Sequence, residues 1–196
     1  MEWFVHSYVP VTFPAGCILM AVDGEPGTDR PVGSDPLPVL GRLLDIQGLD
    51  PGSFELKKHE TGKPFGVVDG LNVGVGISHC PSLLVCGIHT HGDIGLDVEP
   101  GNRILHPALR DRICHPEEST LLPDDLCCIR MWTIKEAALK FLGTGLRMAM
   151  SKIRLDMIEE HRFRAETGVD TLEIFSFLFR EHWIAVALKE KENQEV

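Results

Sequence analysis

The sequence predicts an α+β protein built in two parts. Three observations carry this: strand-like apolar segments occur on both sides of residue 100, segments with helical apolar spacing also occur on both sides, and the composition changes character near that residue. The 196 residues can bury a core in one compact unit or in two small halves packed together. The expected units are residues 1–100, residues 101–190 and a polar tail over 191–196, and no direct internal repeat is visible.

The first 30 residues alternate short apolar runs with Pro and Gly, which predicts a strand or two followed by the loop "DGEPGTDRPVGSDP". "LPVLGRLLDIQGL" has helical spacing and predicts a helix over about Leu37 to Gln47. "SFELKKHETGKPFG" reads as a strand entering a turn, and "LNVGVGISHCP" and "SLLVCGIHT" read as strands. "DIGLDVEP" follows a tight "HGD" turn, the pattern of a hairpin. Beyond Pro100, "ILHPALRDRICHPEESTLL" and "DDLCCIRMWTIKEAALKFLG" read as helices, the second with acids at its start and Gly143 at its end. "KIRLDMI", "LEIFSFLF" and "HWIAVALKE" alternate as strands of a second sheet.

Hydrophobic residues make up 43% and charged residues 24%, ordinary globular values. The apolar runs are strand-sized, well short of the roughly 20 residues of a membrane span, and an acid at position 2 with prolines in the first apolar stretch makes a poor signal peptide. The expected location is therefore cytoplasmic, with no membrane partner. Six cysteines without CxxC spacing read as reduced core thiols rather than zinc ligands or disulfides. A net charge of −10 argues against nucleic-acid binding.

The stretch "HTHGDIGLDVEP" concentrates chemistry. On a strand Asp97 and Glu99 project from one face, and two adjacent carboxylates ionise together at a cost unless a cation lies between them. Hard oxygen ligands of this kind suit magnesium or manganese, above all an ion shared with a phosphate. A rival reading takes His89, His91 and Asp93 as the start of the HxHxDH signature of zinc hydrolases, but Ile94 stands where that signature needs histidine. The plainer reading of both histidines is as polar residues at an exposed turn. In "WTIKEAALK", Trp132, Glu136 and Lys140 form one helical stripe, which taken alone is commonly a solvated pair of charges.

Together, "IGLDVE" and, about thirty residues later, "WTIKEAALK" resemble the paired motifs of the 4′-phosphopantetheinyl transferase superfamily. "TGKPFG" and "VGISHC" resemble two further motifs of its larger, surfactin-synthetase-activator (Sfp) type, so the resemblance runs from about Leu40 to Ile153. It implies two similar α+β halves forming an intramolecular pseudodimer, acting as a monomer with the nucleotide in the cleft. The implied activity is that of a holo-[acyl-carrier-protein] synthase. A serine of an apo acyl-, peptidyl- or aryl-carrier protein attacks coenzyme A, takes the phosphopantetheine arm and releases adenosine 3′,5′-bisphosphate. Such carriers serve fatty-acid, polyketide or nonribosomal-peptide biosynthesis.

The resemblance assigns Mg2+, with Mn2+ as the alternative, to Asp97, Glu99 and Glu136. It makes Glu136, Lys140 and Asp97 catalytic and gives coenzyme A to Lys63, Pro64, Ser78, His79 and Lys140. Glu118 near the metal, Lys135 as a helper and Arg42 at the coenzyme A phosphates complete the set. Two features depart from the family pattern: "SHC" replaces "SHS", and the N-terminal half is short, with Arg42 as its helix's only arginine. The acidic net charge is also unexpected for a protein that grips an acidic carrier. A catalytically idle relative that binds coenzyme A or a carrier is the alternative within the same family.

Overall fold

The computed structural model describes residues 2–4, 11–23, 35–118 and 127–190. The chain runs β1 (Glu2–Phe4), β2 (Cys17–Asp23), α1 (Leu37–Ile46), β3 (Glu55–Lys58), β4 (Pro64–Val68), β5 (Leu71–Cys80), β6 (Leu83–His89) and β7 (Gly95–Pro100). It continues through α2 (Pro107–Ile113), α3 (Cys128–Leu142), β8 (Arg154–Glu159), β9 (Arg162–Glu166), β10 (Thr171–Phe179) and β11 (His182–Lys189). Two antiparallel sheets result, in the orders β1-β2-β6-β5-β4-β3 and β7-β11-β10-β9-β8. The α+β class expected from the sequence is the class observed.

Side-chain alternation sorts the core into layers. Met20, Val73, Val75 and Ile88 meet Val39, Leu40, Leu43 and Leu44 of α1 on the outer face of the first sheet. Leu19, Leu83 and Val85 on its other face meet Leu96, Val98, Phe177, Ile184 and Val186 of the second sheet. The far face of the second sheet, with Leu172, Ile174, Ala185 and Ala187, is covered by Ile134, Ala138 and Phe141 of α3. The order is therefore α1, first sheet, second sheet, α3.

Gly95 fixes the approach of α3: a Cβ there would lie 2.1 Å from the Ala137 carbonyl oxygen and 2.6 Å from the Phe141 nitrogen. Only a residue without a side chain lets helix and strand come this close. The helix stops at Gly143, whose φ of 67° is the left-handed geometry that favours glycine at this position.

The chain departs from the sequence reading in several places. No β6–β7 hairpin forms, because β6 pairs with β2 and β5 while β7 pairs with β11. Residues Thr90 to Ile94 instead carry the chain from one sheet to the other, and β7 forms the edge strand of the second sheet. The helix expected around "HPALRDRICHPEE" is confined to Pro107–Ile113. Strands β4 and β9 were not expected; β9 has only Phe163 and Ala165 buried among charged residues. The acids Asp124 and Asp125, most of the loop after Asp23 and the polar tail lie outside the described residues.

Candidate active site

The two motifs meet across β7 and α3. Alternation puts Asp97 and Glu99 on the α3 side of β7, since Leu96 and Val98 face the first sheet. On α3, Lys140 Nζ lies 2.7 Å from Asp97 Oδ1. Two turns earlier, Trp132 receives the Arg103 guanidinium 5.8 Å from its ring centroid, and Arg103 pairs with Glu99. Between them Glu136 is half-buried, with no hydrogen bond or ion pair among the described residues. The stripe of Trp132, Glu136 and Lys140 read from the helical period thus lies along the acidic face of β7.

Asp97 is 5% exposed, and Ser78 supports it from the first sheet. Ser78 Oγ donates to Asp97 Oδ1 at 3.1 Å and accepts the Val98 N–H, 3.2 Å away, on the open edge of β7. Lys140 Nζ also donates to Ser78 Oγ at 3.0 Å. The other oxygen, Asp97 Oδ2, is buried without a hydrogen-bond partner among the described residues. Burial raises the Asp97 pKa; Lys140 opposes this and the Glu99 charge adds to it. Glu136 is likewise raised, first by burial and then by the charge of Asp97, with Lys140 pulling down, Glu99 pushing up and Arg103 pulling down. Three carboxylates therefore feel one another in a half-buried place, with two cations beside them.

Among the described residues no three acidic, histidine or cysteine side chains already converge as a metal cage. The donors nevertheless fit a hard cation: all are carboxylate oxygens, they repel one another, and a buried oxygen of Asp97 lacks a partner.

A cavity of about 270 Å³ opens beside Lys140, lined also by Lys63, Pro64, Gly76, Ile77 and Leu96. Lys63 has a second occupation here: its Nζ donates to the Phe141 carbonyl at 2.5 Å, near the C-terminus of α3, and pairs with Asp93 at 3.0 Å.

The remaining expected residues lie apart. Ser78 and His79 point to opposite faces of β5, so Ser78 is buried against Asp97 while His79 is exposed. Lys135 is fully buried, 2.7 Å from Glu118 Oε1, and donates to the carbonyls of Ile113 (2.6 Å), Met150 (3.3 Å) and Ile153 (2.8 Å). Glu118 also accepts the N–H groups of His115 and Leu155, so this pair ties α3 to the chain on either side of it and does not join the three carboxylates. Arg42 is exposed on α1, which covers the face of the first sheet opposite to β7. His89 and His91 stand with ring centroids 6.2 Å apart at the crossover. Asp93 is taken by Lys63, so the described residues do not gather the zinc site of the rival reading. Sequence reasoning missed Arg103 and the bridging role of Ser78; Arg103 was findable as a cation four residues after Glu99.

This fold, with an acidic strand edge faced by a Glu–Lys helix, matches one family by sequence as well. Residues 93–193, just over half of the chain, match the family model described as the 4′-phosphopantetheinyl transferase superfamily. The chain belongs to that superfamily. Among curated relatives, the 4′-phosphopantetheinyl transferase gsp of Aneurinibacillus migulanus is 27% identical over 120 residues, covering 58% of this chain. The 4′-phosphopantetheinyl transferase HetI of Nostoc sp. is 29% identical over 150 residues, covering 69% of this chain. The matches span 48% and 60% of the lengths of these two relatives. No described helix is long and apolar enough to cross a membrane.

Proposed function

We propose that this protein transfers the 4′-phosphopantetheine group from coenzyme A to a serine of an apo carrier protein, releasing adenosine 3′,5′-bisphosphate. The observation that carries this reading is the packing of Asp97 and Glu99 on β7 against Glu136 and Lys140 on α3, with Asp97 Oδ2 left unpartnered. Asp97, Glu99 and Glu136 would hold Mg2+, or Mn2+, on the coenzyme A pyrophosphate. That ion, when bound, supplies positive charge against the charge developing on the transferring phosphoryl group.

The protein's own groups do the rest. Glu136 accepts the carrier serine proton, and its raised pKa makes it a stronger base than an ordinary glutamate. Lys140 stabilises the leaving phosphate, an electrostatic task suited to a half-exposed ammonium already poised over Asp97. Ser78 positions both Asp97 and Lys140. Lys63 and Pro64, lining the cavity beside Lys140, belong to the nucleotide end; His79 is exposed on the face of β5 opposite to Ser78. The two α+β halves act as one monomer, in a cytoplasm that keeps the free cysteines reduced.

Mass spectrometry of apo acyl-, peptidyl- and aryl-carrier proteins incubated with the protein, coenzyme A and Mg2+ tests this directly. A gain of one phosphopantetheine, abolished by EDTA and by Asp97→Ala or Glu136→Ala, is expected. Coenzyme A binding without a mass gain on any carrier would overturn transfer in favour of the idle relative.

A further inference from the structure

Away from the carboxylates, the ends of β5 and β10–β11 assemble a second reactive group. Cys80, the last residue of β5, has Sγ 3.7 Å from Ser82 Oγ in the following turn. Ser82 Oγ lies 2.6 Å from His182 Nε2 on β11. The other ring nitrogen, Nδ1, lies 2.6 Å from the Arg180 carbonyl oxygen, which accepts only, so Nδ1 carries the proton. Neutral His182 therefore offers Nε2 as an acceptor to the Ser82 hydroxyl, which in turn accepts from the Cys80 thiol. The order thiol, hydroxyl, imidazole is a path by which the thiol proton reaches Nε2.

The surroundings separate Cys80 from other thiols of the chain. Cys17 and Cys86 are buried among apolar side chains and pushed up to about 12 by that burial. At Cys80 burial also pushes upward, but the polar neighbours His182 and Ser82 outweigh it and hold the thiol below its ordinary value. His182 moves the opposite way, raised first by its interaction with Cys80, opposed by burial, and helped by the Arg180 carbonyl and the charges of Cys80 and Glu181. The other charges at this corner are Arg180 and Asp23, paired with each other across the two sheets. Cys80 itself is 6% exposed and lies beneath the exposed Ser82 and the half-buried His182, with Glu181 exposed beside them.

We propose that Cys80, activated through Ser82 by His182, is a site of oxidation by hydroperoxides. The Cys80 thiolate attacks one oxygen of the peroxide, an S–O bond forms, the O–O bond breaks, and sulfur loses two electrons to the peroxide. The leaving hydroxide or alkoxide takes the proton held on His182 Nε2, so one thiol and one hydroperoxide yield one sulfenic acid and one water or alcohol. The pairing of thiolate with imidazolium serves both halves of the step, as nucleophile and as acid for the leaving oxygen. Ser78 lies two residues earlier on the same face of β5, so the added oxygen enters the strand that supports Asp97.

The test treats the reduced full-length protein with hydrogen peroxide, traps sulfenic acid with dimedone and locates it by peptide mass spectrometry. In parallel, iodoacetamide alkylation of Cys80 is followed against pH. Expected results are dimedone at Cys80 in excess over Cys17 and Cys86, and an alkylation midpoint below the value of about 8.5 for a free thiol. His182→Asn should raise that midpoint by about one unit, lowering the reactive fraction roughly tenfold near neutral pH. Ser82→Ala, a change at an exposed turn that spares the fold, should shift it in the same direction. Dimedone at Cys80 no higher than at Cys17 and Cys86 would overturn the proposal, as would a midpoint unmoved in both variants.

Discussion

Replacing Gly95 with alanine should separate the two motifs of the proposed site without touching either. The new Cβ would sit 2.1 Å from the Ala137 carbonyl oxygen, 2.6 Å from the Phe141 nitrogen and 2.8 Å from Phe141 Cβ, and two of these neighbours are backbone of α3. Ordinary contact begins near 3.4 Å, so α3 must retreat from β7 by roughly 1 Å. Overpacking of this kind costs about 1–3 kcal/mol. In a domain of this size that lowers the Tm by roughly 2–12 °C. The same shift opens the 2.7 Å contact between Lys140 and Asp97 and carries Glu136 away from β7. A misplacement of about 1 Å can cost on the order of 100-fold in rate. Transfer to a carrier protein, measured well below the lowered Tm, should therefore fall about 100-fold although every acidic and basic side chain is present. A Gly95→Ala protein with unchanged Tm and full activity would refute the claim that helix approach sets the site.

Other substitutions divide support from chemistry. Lys135→Met leaves Glu118 buried without its cation, so the Tm should fall by an amount corresponding to about 3–5 kcal/mol; Lys135→Met with Glu118→Gln should recover part of it in thermal unfolding. Because Lys135 points into the core, the rate of the single variant at low temperature should stay within about threefold of wild type, and a loss like that of Glu136→Ala would return Lys135 to the site. Ser78→Ala removes one hydrogen bond to Asp97, and transfer assays should show a loss of roughly tenfold, chiefly in kcat. For Asp97 and Glu136 the folded-state pKa lies above the unfolded one, so the folded protein binds more protons between those values and stability falls as pH rises through that window. Mg2+ should therefore raise the Tm more at pH 7.5 than at pH 4.5, and not at all in Glu136→Gln; an equal shift at both pH values would argue against these carboxylates as its ligands.

Much of the site was legible because its logic is local. Spacing of two on a strand puts Asp97 beside Glu99, and spacing of four on a helix puts Glu136 beside Lys140; both periods survive folding. What spacing could not show is which sheet a strand joins. The "HGD" turn has hairpin chemistry, yet β7 leaves β6 to pair with β11, because Leu96 and Val98 bury against the first sheet while β11 supplies a long partner strand buried on both faces. Strand β9 escaped notice since three of its five residues are charged and only Phe163 and Ala165 reach the core. Lys135 sits one residue, or about 100° around the helix, from Glu136, so the two cannot face β7 together; its Nζ is found against Glu118.

The charges of the proposed metal site also explain how it holds together without an ion. Asp97 and Glu99 cannot stay close and ionised beside Glu136 without compensation, and the cations at hand are Lys140 and Arg103. Each spans the gap between β7 and its surroundings: Lys140 comes from α3, while Arg103 follows β7 and reaches Trp132 on the same helix. The pairs thus hold strand and helix in register while leaving Asp97 Oδ2 and Glu136 uncommitted. Binding of a divalent cation would relieve both cations of that duty together. Lys140 and Arg103 would then be free to turn toward an anionic ligand, so metal and pyrophosphate should bind cooperatively, each strengthening the other by the same factor. Calorimetric titration of coenzyme A with and without Mg2+ measures that factor, and Arg103→Ala should reduce it while leaving Asp97 and Lys140 paired.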